Sequence, residues 1–96
     1  MNNHLIDILI LTHNHKKFIA NCLDTILDQK TNFIFKILIL DDFSNDGTND
    51  ILEKYKYNHK DKIELYYNET NQGVIKSVKY LATKLKSKYI TFLDGD

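Results

Sequence analysis

Two short segments of the chain are almost continuously apolar, and they constrain the fold more than any other feature of the sequence. Leu5–Leu11 (LIDILIL) and Ile34–Leu40 (IFKILIL) are both rich in isoleucine. Such segments are typical of strands that are covered on both faces, as in a parallel sheet that lies between helices. Polar residues follow each segment directly. We therefore predict two central strands whose carboxyl ends lead into polar loops.

The rest of the chain alternates between helical and extended patterns. Apolar residues three and four positions apart predict a first helix within Phe18–Leu27, a short helix through Ile51–Tyr55 and a third through Val74–Leu85. Ile63–Tyr67 and Tyr89–Leu93 are predicted as the third and fourth strands. The order β-α-β-α-β-α-β predicts an α/β fold, namely a Rossmann-like parallel sheet with helices on both faces and spatial strand order 3-2-1-4.

Composition limits the classes of function. The chain has 96 residues, which is a single domain over residues 1–96, and its 13 lysines balance 13 acidic residues. A net charge of zero disfavours a nucleic-acid binder and a polybasic membrane contact. The single cysteine, Cys22, excludes an internal disulfide and a multi-cysteine zinc site, and we expect it in the core.

Targeting signals are the next feature to consider. No segment of the sequence has the apolar length of a membrane span or the pattern of a signal peptide. We therefore expect a cytoplasmic domain, with the inner face of the membrane as an alternative location for a longer protein.

Polar clusters follow three of the predicted strands, and in a parallel sheet these positions meet at one edge. The clusters are Thr12-His13-Asn14 after the first strand, Asp41-Asp42 after the second and Asp94-Gly95-Asp96 after the fourth. The second and fourth strands flank the first, so their ends are about 10 Å apart. This distance suits a nucleoside diphosphate that lies across the edge of the sheet.

The acidic residues suggest how such a ligand would be held. Asp42 can accept a hydrogen bond from the N–H of a nucleobase, whereas it would repel a phosphate. Asp94 and Asp96 are alternate carboxylates at a strand end, which is a suitable arrangement for Mg²⁺ or Mn²⁺ shared with phosphate oxygens. Such a cation would neutralise a leaving diphosphate.

Each motif also has a plain structural interpretation. Asp and Gly are common turn residues, so a single Asp-Gly-Asp is usually a loop. His13 and His15 are more typical of a solvated loop than of a metal pair, and Thr48 or Asp46 could cap the second helix. Lys76 is more typical of an exposed helix face than of an anion site, although the start of its helix could face a phosphate. Their combined placement at one edge favours a binding site.

Taken together, these motifs resemble glycosyltransferase family 2, whose catalytic domains have the GT-A fold. The resemblance runs from Ile8 to Asp96 and depends on five segments in order. These are Leu11-Thr12-His13-Asn14, Cys22–Gln29 (CLDTILDQ), Asp41–Thr48 (DDFSNDGT), Asn71-Gln72-Gly73-Val74 and Phe92–Asp96 (FLDGD).

The resemblance implies the transfer of a sugar, with inversion, from a nucleotide-sugar donor such as a UDP-sugar to a glycan or lipid-linked acceptor. It implies a role in surface polysaccharide biosynthesis and a requirement for Mn²⁺ or Mg²⁺. It also implies the roles of individual residues. The implied nucleotide-sugar contacts are Thr12, Asn14, Asp41, Asp42, Lys76 and Asp94, and the implied metal ligands are Asp94 and Asp96.

Three alternatives to a glycosyltransferase were considered. A stand-alone nucleotide-binding module without catalysis would share this edge of the sheet. A sugar nucleotidyltransferase uses a similar sheet, but it would need a Gly-rich basic loop after the first strand, and Thr12–Lys17 contains no glycine. A dinucleotide-dependent oxidoreductase is disfavoured because no G-x-G-x-x-G follows the first strand.

The chain departs from the family pattern in four places. Leu11 replaces a usual proline, Phe43 replaces a usual glycine, and Val78 stands where many members have an arginine. The fourth departure is that the sequence stops at the Asp-Gly-Asp motif. We therefore expect a donor-binding half that is inactive alone, with the general base beyond residue 96. We also expect self-association through the edge strand Tyr89–Leu93.

Overall fold

Strands and helices alternate strictly along the chain. The structure, a computed structural model, describes residues 4–28, 34–85 and 89–94. The strands are β1 (His4–Thr12), β2 (Ile34–Asp42), β3 (Ile63–Asn68) and β4 (Tyr89–Asp94), and the helices are α1 (Lys16–Leu27), α2 (Thr48–Asn58) and α3 (Gly73–Ala82). The predicted order of elements is confirmed.

The four strands form one parallel sheet in the order β3-β2-β1-β4, as predicted. The register pairs β1 with its two neighbours, so that Thr12 lies beside Asp41 of β2 and Leu11 beside Asp94 of β4. On the other side, Asp42 pairs with Asn68. The carboxyl ends of all four strands therefore lie level along one edge. Because β4 is the last strand in this order, its edge position agrees with the prediction, while self-association stays a prediction.

Successive side chains of each strand point to opposite faces of the sheet, and each face has its own core. On the α1/α2 face, the helices α1 and α2 cover the sheet. Its buried residues are Ile10, Ile19, Leu23, Ile26, Phe35, Ile37, Ile39, Leu52 and Ile63. On the α3 face, α3 is the helix of the described residues that covers the sheet. Its buried residues are Leu9, Leu11, Leu38, Leu40 and Leu81. Both faces of the central strands are buried, which explains their continuous apolar runs.

The helices differ from the predictions in detail. Helix α3 ends at Ala82, so Leu85 lies beyond it and packs, partly buried, against the α3-face core. Phe18, which the apolar spacing placed on the buried face of α1, is 55% exposed, because the buried stripe of α1 begins one residue later at Ile19. Cys22 packs partly buried against the α1/α2-face core, as expected, and burial raises the pKa of its thiol.

Membrane insertion through a helix has no support in the described part of the chain. Among residues 4–28, 34–85 and 89–94, no helix combines the length and hydropathy that a bilayer crossing requires.

Candidate functional site

The candidate site lies at the carboxyl edge of the sheet, where two adjacent aspartates end β2. Asp41 and Asp42 are both buried, and they point to opposite faces because side chains alternate along a strand. Asp41 follows the parity of Ile37 and Ile39 towards the α1/α2 face, whereas Asp42 has the parity of Leu40 towards the α3 face. The two carboxylates therefore have different partners.

Asp42 holds the turn that precedes α3. Its Oδ1 accepts hydrogen bonds from the Gln72 amide at 2.7 Å and from Asn68 Nδ2 at 2.9 Å. Its Oδ2 accepts one from the Gly73 amide at 3.0 Å. Gly73 has φ +82°, a left-handed conformation that glycine adopts without steric cost. One carboxylate thus fixes the start of α3 against the end of β2.

This carboxylate keeps the capacity for one more hydrogen bond. A carboxylate has about four acceptor positions, and the protein fills two on Oδ1 and one on Oδ2. Burial would raise the pKa of Asp42, which is 5% exposed, but its hydrogen bonds and the charge of His13 outweigh burial and lower that pKa. Asp42 is therefore an ionised hydrogen-bond acceptor, and its Oδ2 keeps one acceptor position that the described residues do not fill. A contact with the N–H of a base would require such a position.

Two residues that orient Asp42 were not predicted from the sequence. Asn68 ends β3, and its Nδ2 donates to both Asp42 Oδ1 and Ser77 Oγ, the latter at 3.0 Å. Ser77 is buried on the inner side of α3. The signal that could have identified them is a polar residue at a strand end and a serine on an otherwise apolar helix stripe.

Asp41 holds its own loop instead. Ser44 donates its backbone amide to Asp41 Oδ2 at 2.9 Å and its hydroxyl to Asp41 Oδ1 at 2.5 Å. The same Ser44 Oγ accepts the Asn14 amide at 2.8 Å, and Asn14 Oδ1 accepts the Asn45 amide at 2.8 Å. Asn14 has φ +53°, a region that Asn tolerates better than most residues. Asp41 and Asn14, both predicted to bind the nucleotide, thus join the loops after β1 and β2.

Asp46 completes this junction by serving two helices. Its Oδ2 accepts the Lys16 amide at the start of α1 at 3.1 Å. Its Oδ1 accepts the Thr48 amide at 3.0 Å and also the Thr48 hydroxyl. The N-cap position of α2 is Gly47, at φ +97°, so neither predicted cap occupies that position, although Asp46 bonds the first amide of the helix. Burial would raise the pKa of Asp46, but these hydrogen bonds lower it.

The histidines after β1 lie in a loop, where they are half-buried and hydrogen-bonded rather than fully solvated. His13 Nδ1 donates to the Asp42 carbonyl oxygen at 2.5 Å. His15 Nδ1 lies 3.1 Å from the hydroxyl of the buried Thr12, and it also accepts the His13 amide at 3.5 Å. The His13 ring thus bonds the end of β2, and the His15 ring bonds the end of β1 and its own loop. These contacts hold the polar loop after β1 in place.

The remaining predicted site residues are placed less completely. The backbone brings Asp94 beside Leu11, at the same edge as Asp41 and Asp42, while Asp96 lies outside the described residues. Lys76 is exposed in the first turn of α3, and its contact with a phosphate stays a prediction. Within the described residues no three acidic, histidine or cysteine side chains form a metal site.

A cleft of about 470 Å³ lies at the opposite edge, between the carboxyl ends of α1 and α2. Asp24, Asp28 and His59 are among its lining residues. Helix carboxyl ends carry partial negative charge and two carboxylates add to it, so this cleft is unsuited to a diphosphate. The carboxyl edge of the sheet remains the better candidate.

The sequence matches the family Glycosyl transferase family 2 over residues 7–96. The chain belongs to that family. Among curated relatives, TuaG of Bacillus subtilis, named for teichuronic acid biosynthesis, is 29% identical over 96% of this chain. The poly(ribitol-phosphate) beta-N-acetylglucosaminyltransferase TarS of Staphylococcus aureus is 30% identical over 93% of it. The chain spans 36% of the length of TuaG and 16% of TarS.

Solved structures agree with this family membership. TarS residues 1–349 in complex with UDP-GlcNAc align with a TM-score of 0.83 and 27% identity, over 96% of this chain and 26% of that one. The mannosyltransferase PcManGT from Pyrobaculum calidifontis, in complex with GDP-Man and Mn²⁺, aligns with a TM-score of 0.84 over 95% of this chain and 27% of that one. At 19% identity, the second match shows the fold alone. The predicted GT-A fold is confirmed.

Proposed function

We propose that this chain forms the donor-binding part of an inverting glycosyltransferase that uses a nucleoside diphosphate sugar. The observation that carries the proposal is the register at the carboxyl edge. It sets Asp41 beside Thr12 and Asp94 beside Leu11, so that acidic residues of β2 and β4 lie on either side of the end of β1. A nucleoside diphosphate laid across that edge would have its base at β2 and its diphosphate towards β4.

Each end of this edge has a distinct task in the proposal. At β2, Asp42 accepts a hydrogen bond from the base through its remaining Oδ2 position. Beside it, Asp41 and Asn14 keep the loops in place and so shape the pocket floor. The donor set at β4, two carboxylates separated by a glycine, suits a hard cation, so Asp94 and Asp96 would hold Mn²⁺ or Mg²⁺. When bound, this cation supplies charge neutralisation for the diphosphate.

The reaction we propose is a direct displacement. The acceptor hydroxyl oxygen forms a bond to the anomeric carbon, and the bond between that carbon and the diphosphate oxygen breaks. The hydroxyl proton passes to a carboxylate base, and the electron pair of the broken bond leaves with the nucleoside diphosphate. We assign no residue of this chain as that base.

The relatives support a narrower donor and acceptor class. TarS is named for a poly(ribitol-phosphate) acceptor and has been solved with UDP-GlcNAc, and TuaG is named for teichuronic acid biosynthesis. We therefore propose a UDP-sugar donor and an acceptor in surface polysaccharide biosynthesis.

Calorimetry tests this proposal directly. The protein is titrated with UDP-, GDP- and dTDP-sugars in the presence of Mn²⁺ and again with a chelator. We expect binding that requires the cation and that is lost in Asp96→Asn, because one ligand charge is removed. Asp61→Asn, an exposed aspartate in the turn before β3, is the matched control. Equal affinity with and without the chelator would contradict the metal requirement.

A further inference from the structure

Phe43 has a left-handed backbone conformation and an exposure that core packing does not explain. It follows Asp42 directly and has φ +59°, in the region where a bulky side chain carries a steric cost. Its side chain is 49% exposed, so burial returns little of this cost. Strained residues of this type concentrate at functional sites, where the strained conformation places a side chain for use.

The two neighbours of Phe43 impose its conformation. The Asp42 carbonyl accepts the His13 ring, and the Ser44 amide donates to Asp41 Oδ2. Both anchors tie Phe43 to the loops after β1 and β2, directly beside Asp42, whose carboxylate holds the turn before α3. Glycine would adopt the same φ without a steric cost. The aromatic ring is therefore not required by the turn.

A second exposed apolar side chain, Val74, follows Gly73, whose amide bonds Asp42 Oδ2. Val74 is three residues before Ser77 and seven before Leu81, which places it on the face of α3 that packs on the sheet. It is nevertheless 63% exposed, because α3 begins at the end of β2, where Gly73 bonds Asp42. An exposed aromatic side chain therefore follows Asp42 in the chain, and an exposed aliphatic one follows Gly73, whose amide bonds the Asp42 carboxylate.

We propose that Phe43 stacks on the nucleobase of the donor, with Val74 against the opposite face of the base and Asp42 Oδ2 at its edge. Base rings are flat and apolar on both faces and carry hydrogen-bonding groups on their edges, which matches this set of three groups. Stacking on an aromatic ring contributes to affinity for any base, because every base has a π-face. The inference depends on the proposed donor function and names the residues that would contact the two faces of the base.

Three variants separate stacking from backbone effects. Phe43→Gly removes the ring and relieves the left-handed strain, and Phe43→Leu keeps the strain and the apolar volume but removes the ring. Tyr57→Leu is the control, because Tyr57 is an aromatic that is 73% exposed in the last turn of α2, at the opposite edge. UDP and GDP, each with Mn²⁺, and inorganic pyrophosphate with Mn²⁺ are the probes.

We expect Phe43→Gly to weaken binding of the nucleoside diphosphate by about tenfold or more. The thermal stability of this variant should be unchanged or higher. Phe43→Leu should lie between Phe43→Gly and the unsubstituted protein, and pyrophosphate binding should not change. Intermolecular NOEs from base protons to a phenyl ring should be present and should disappear in Phe43→Leu. If nucleoside diphosphates bind the unsubstituted protein and both Phe43 variants with equal affinity, the proposal that Phe43 stacks on the base is wrong. If the unsubstituted protein binds neither UDP nor GDP, the proposed donor function itself fails.

Discussion

The two sides of the candidate site are held in different ways. On the α1/α2 side, the loops after β1 and β2 are joined through several residues in succession, with Asn14, Ser44 and Asp46 each bonding across to another segment. On the α3 side, the start of the helix is fixed to the sheet largely through the carboxylate of Asp42. The first arrangement distributes its hydrogen bonds over many groups, whereas the second depends on one.

This difference indicates which single substitution should disturb the site most. A single substitution on the α1/α2 side leaves other cross-links in place. The loss of Asp42 instead removes one hydrogen bond each from Gln72, Gly73 and Asn68 at once. Asp42 is also the residue that we expect to contact the base, so substituting it alters structural support and base contact at the same time. Five predictions test this comparison, in order of expected effect.

Asp42→Ala should give the largest loss. Three hydrogen bonds to a buried carboxylate disappear, and we expect the free energy of unfolding to fall by about 2–3 kcal/mol. Urea denaturation measures this change. Amide hydrogen exchange at Gln72 and Gly73 should accelerate more than at Ser44. Equal protection of these amides before and after the substitution would contradict the anchoring role.

The same variant separates base contact from loop support. Beyond the stability loss, binding of a nucleoside diphosphate should weaken by about 1–3 kcal/mol because a hydrogen-bonding group of the base loses its partner. Binding of inorganic pyrophosphate should be unchanged. Equal losses for the two ligands would mean that Asp42 acts only through the turn before α3.

Asp46→Ala should have the next largest effect, because its carboxylate accepts the first amides of both α1 and α2. We expect a loss of about 1–2 kcal/mol in the free energy of unfolding, comparable to removal of a helix cap. Asp50→Ala is the matched control, since Asp50 is exposed in the first turn of α2 and has the same charge. If the two variants lose equal stability, charge near the helix start explains the effect rather than the hydrogen bonds.

Asn14 allows a smaller test of the α1/α2 side. Asn14→Gly removes the hydrogen bond to the Asn45 amide but keeps a residue that accepts φ +53° without cost. We expect a loss of about 0.5–1 kcal/mol, since the junction keeps its other bonds. Asn14→Ala should lose more, because alanine must also adopt the left-handed conformation. Thermal denaturation of the two variants side by side measures the difference, and a more stable alanine variant would argue against it.

Mild acid should have the smallest effect. The pKa values of Asp42 and Asp46 are lowered below the ordinary 3.8, so these groups stabilise the fold while they are ionised. Their contribution is present above pH 3.8 and is lost as the pH falls through the lowered values. Stability measured by urea denaturation should therefore be flat in this respect from pH 7 to 5 and decline below about 4. In Asp42→Ala this decline should be smaller.

Much of the architecture could be predicted from local pattern. The isoleucine-rich runs before Thr12 and Asp41 identify strands buried on both faces, and the three-and-four spacing within α1 and α2 identifies their helices. The polar residues that end those strands had to meet at one edge, because parallel strands share a direction. The strand order and the candidate site followed from these features, with the motifs adding family membership.

The tertiary structure alone decided how the two adjacent aspartates are used. In LIDILIL and IFKILIL both faces are apolar, so the sequence contains no signal for which face carries two helices and which carries one. Packing between segments decides that Asp41 accepts hydrogen bonds from Ser44 and that Asp42 accepts them at the start of α3. The role of Asn68 and the contact of Asp46 with Lys16 were likewise hidden, since these partners are distant in sequence and hydrogen bonds across such distances leave no periodic pattern. The sequence by itself determined the strands, the helices and the edge at which polar groups gather, because those depend on local periodicity. The partners of each polar group depend on packing between segments, and that was settled only in three dimensions.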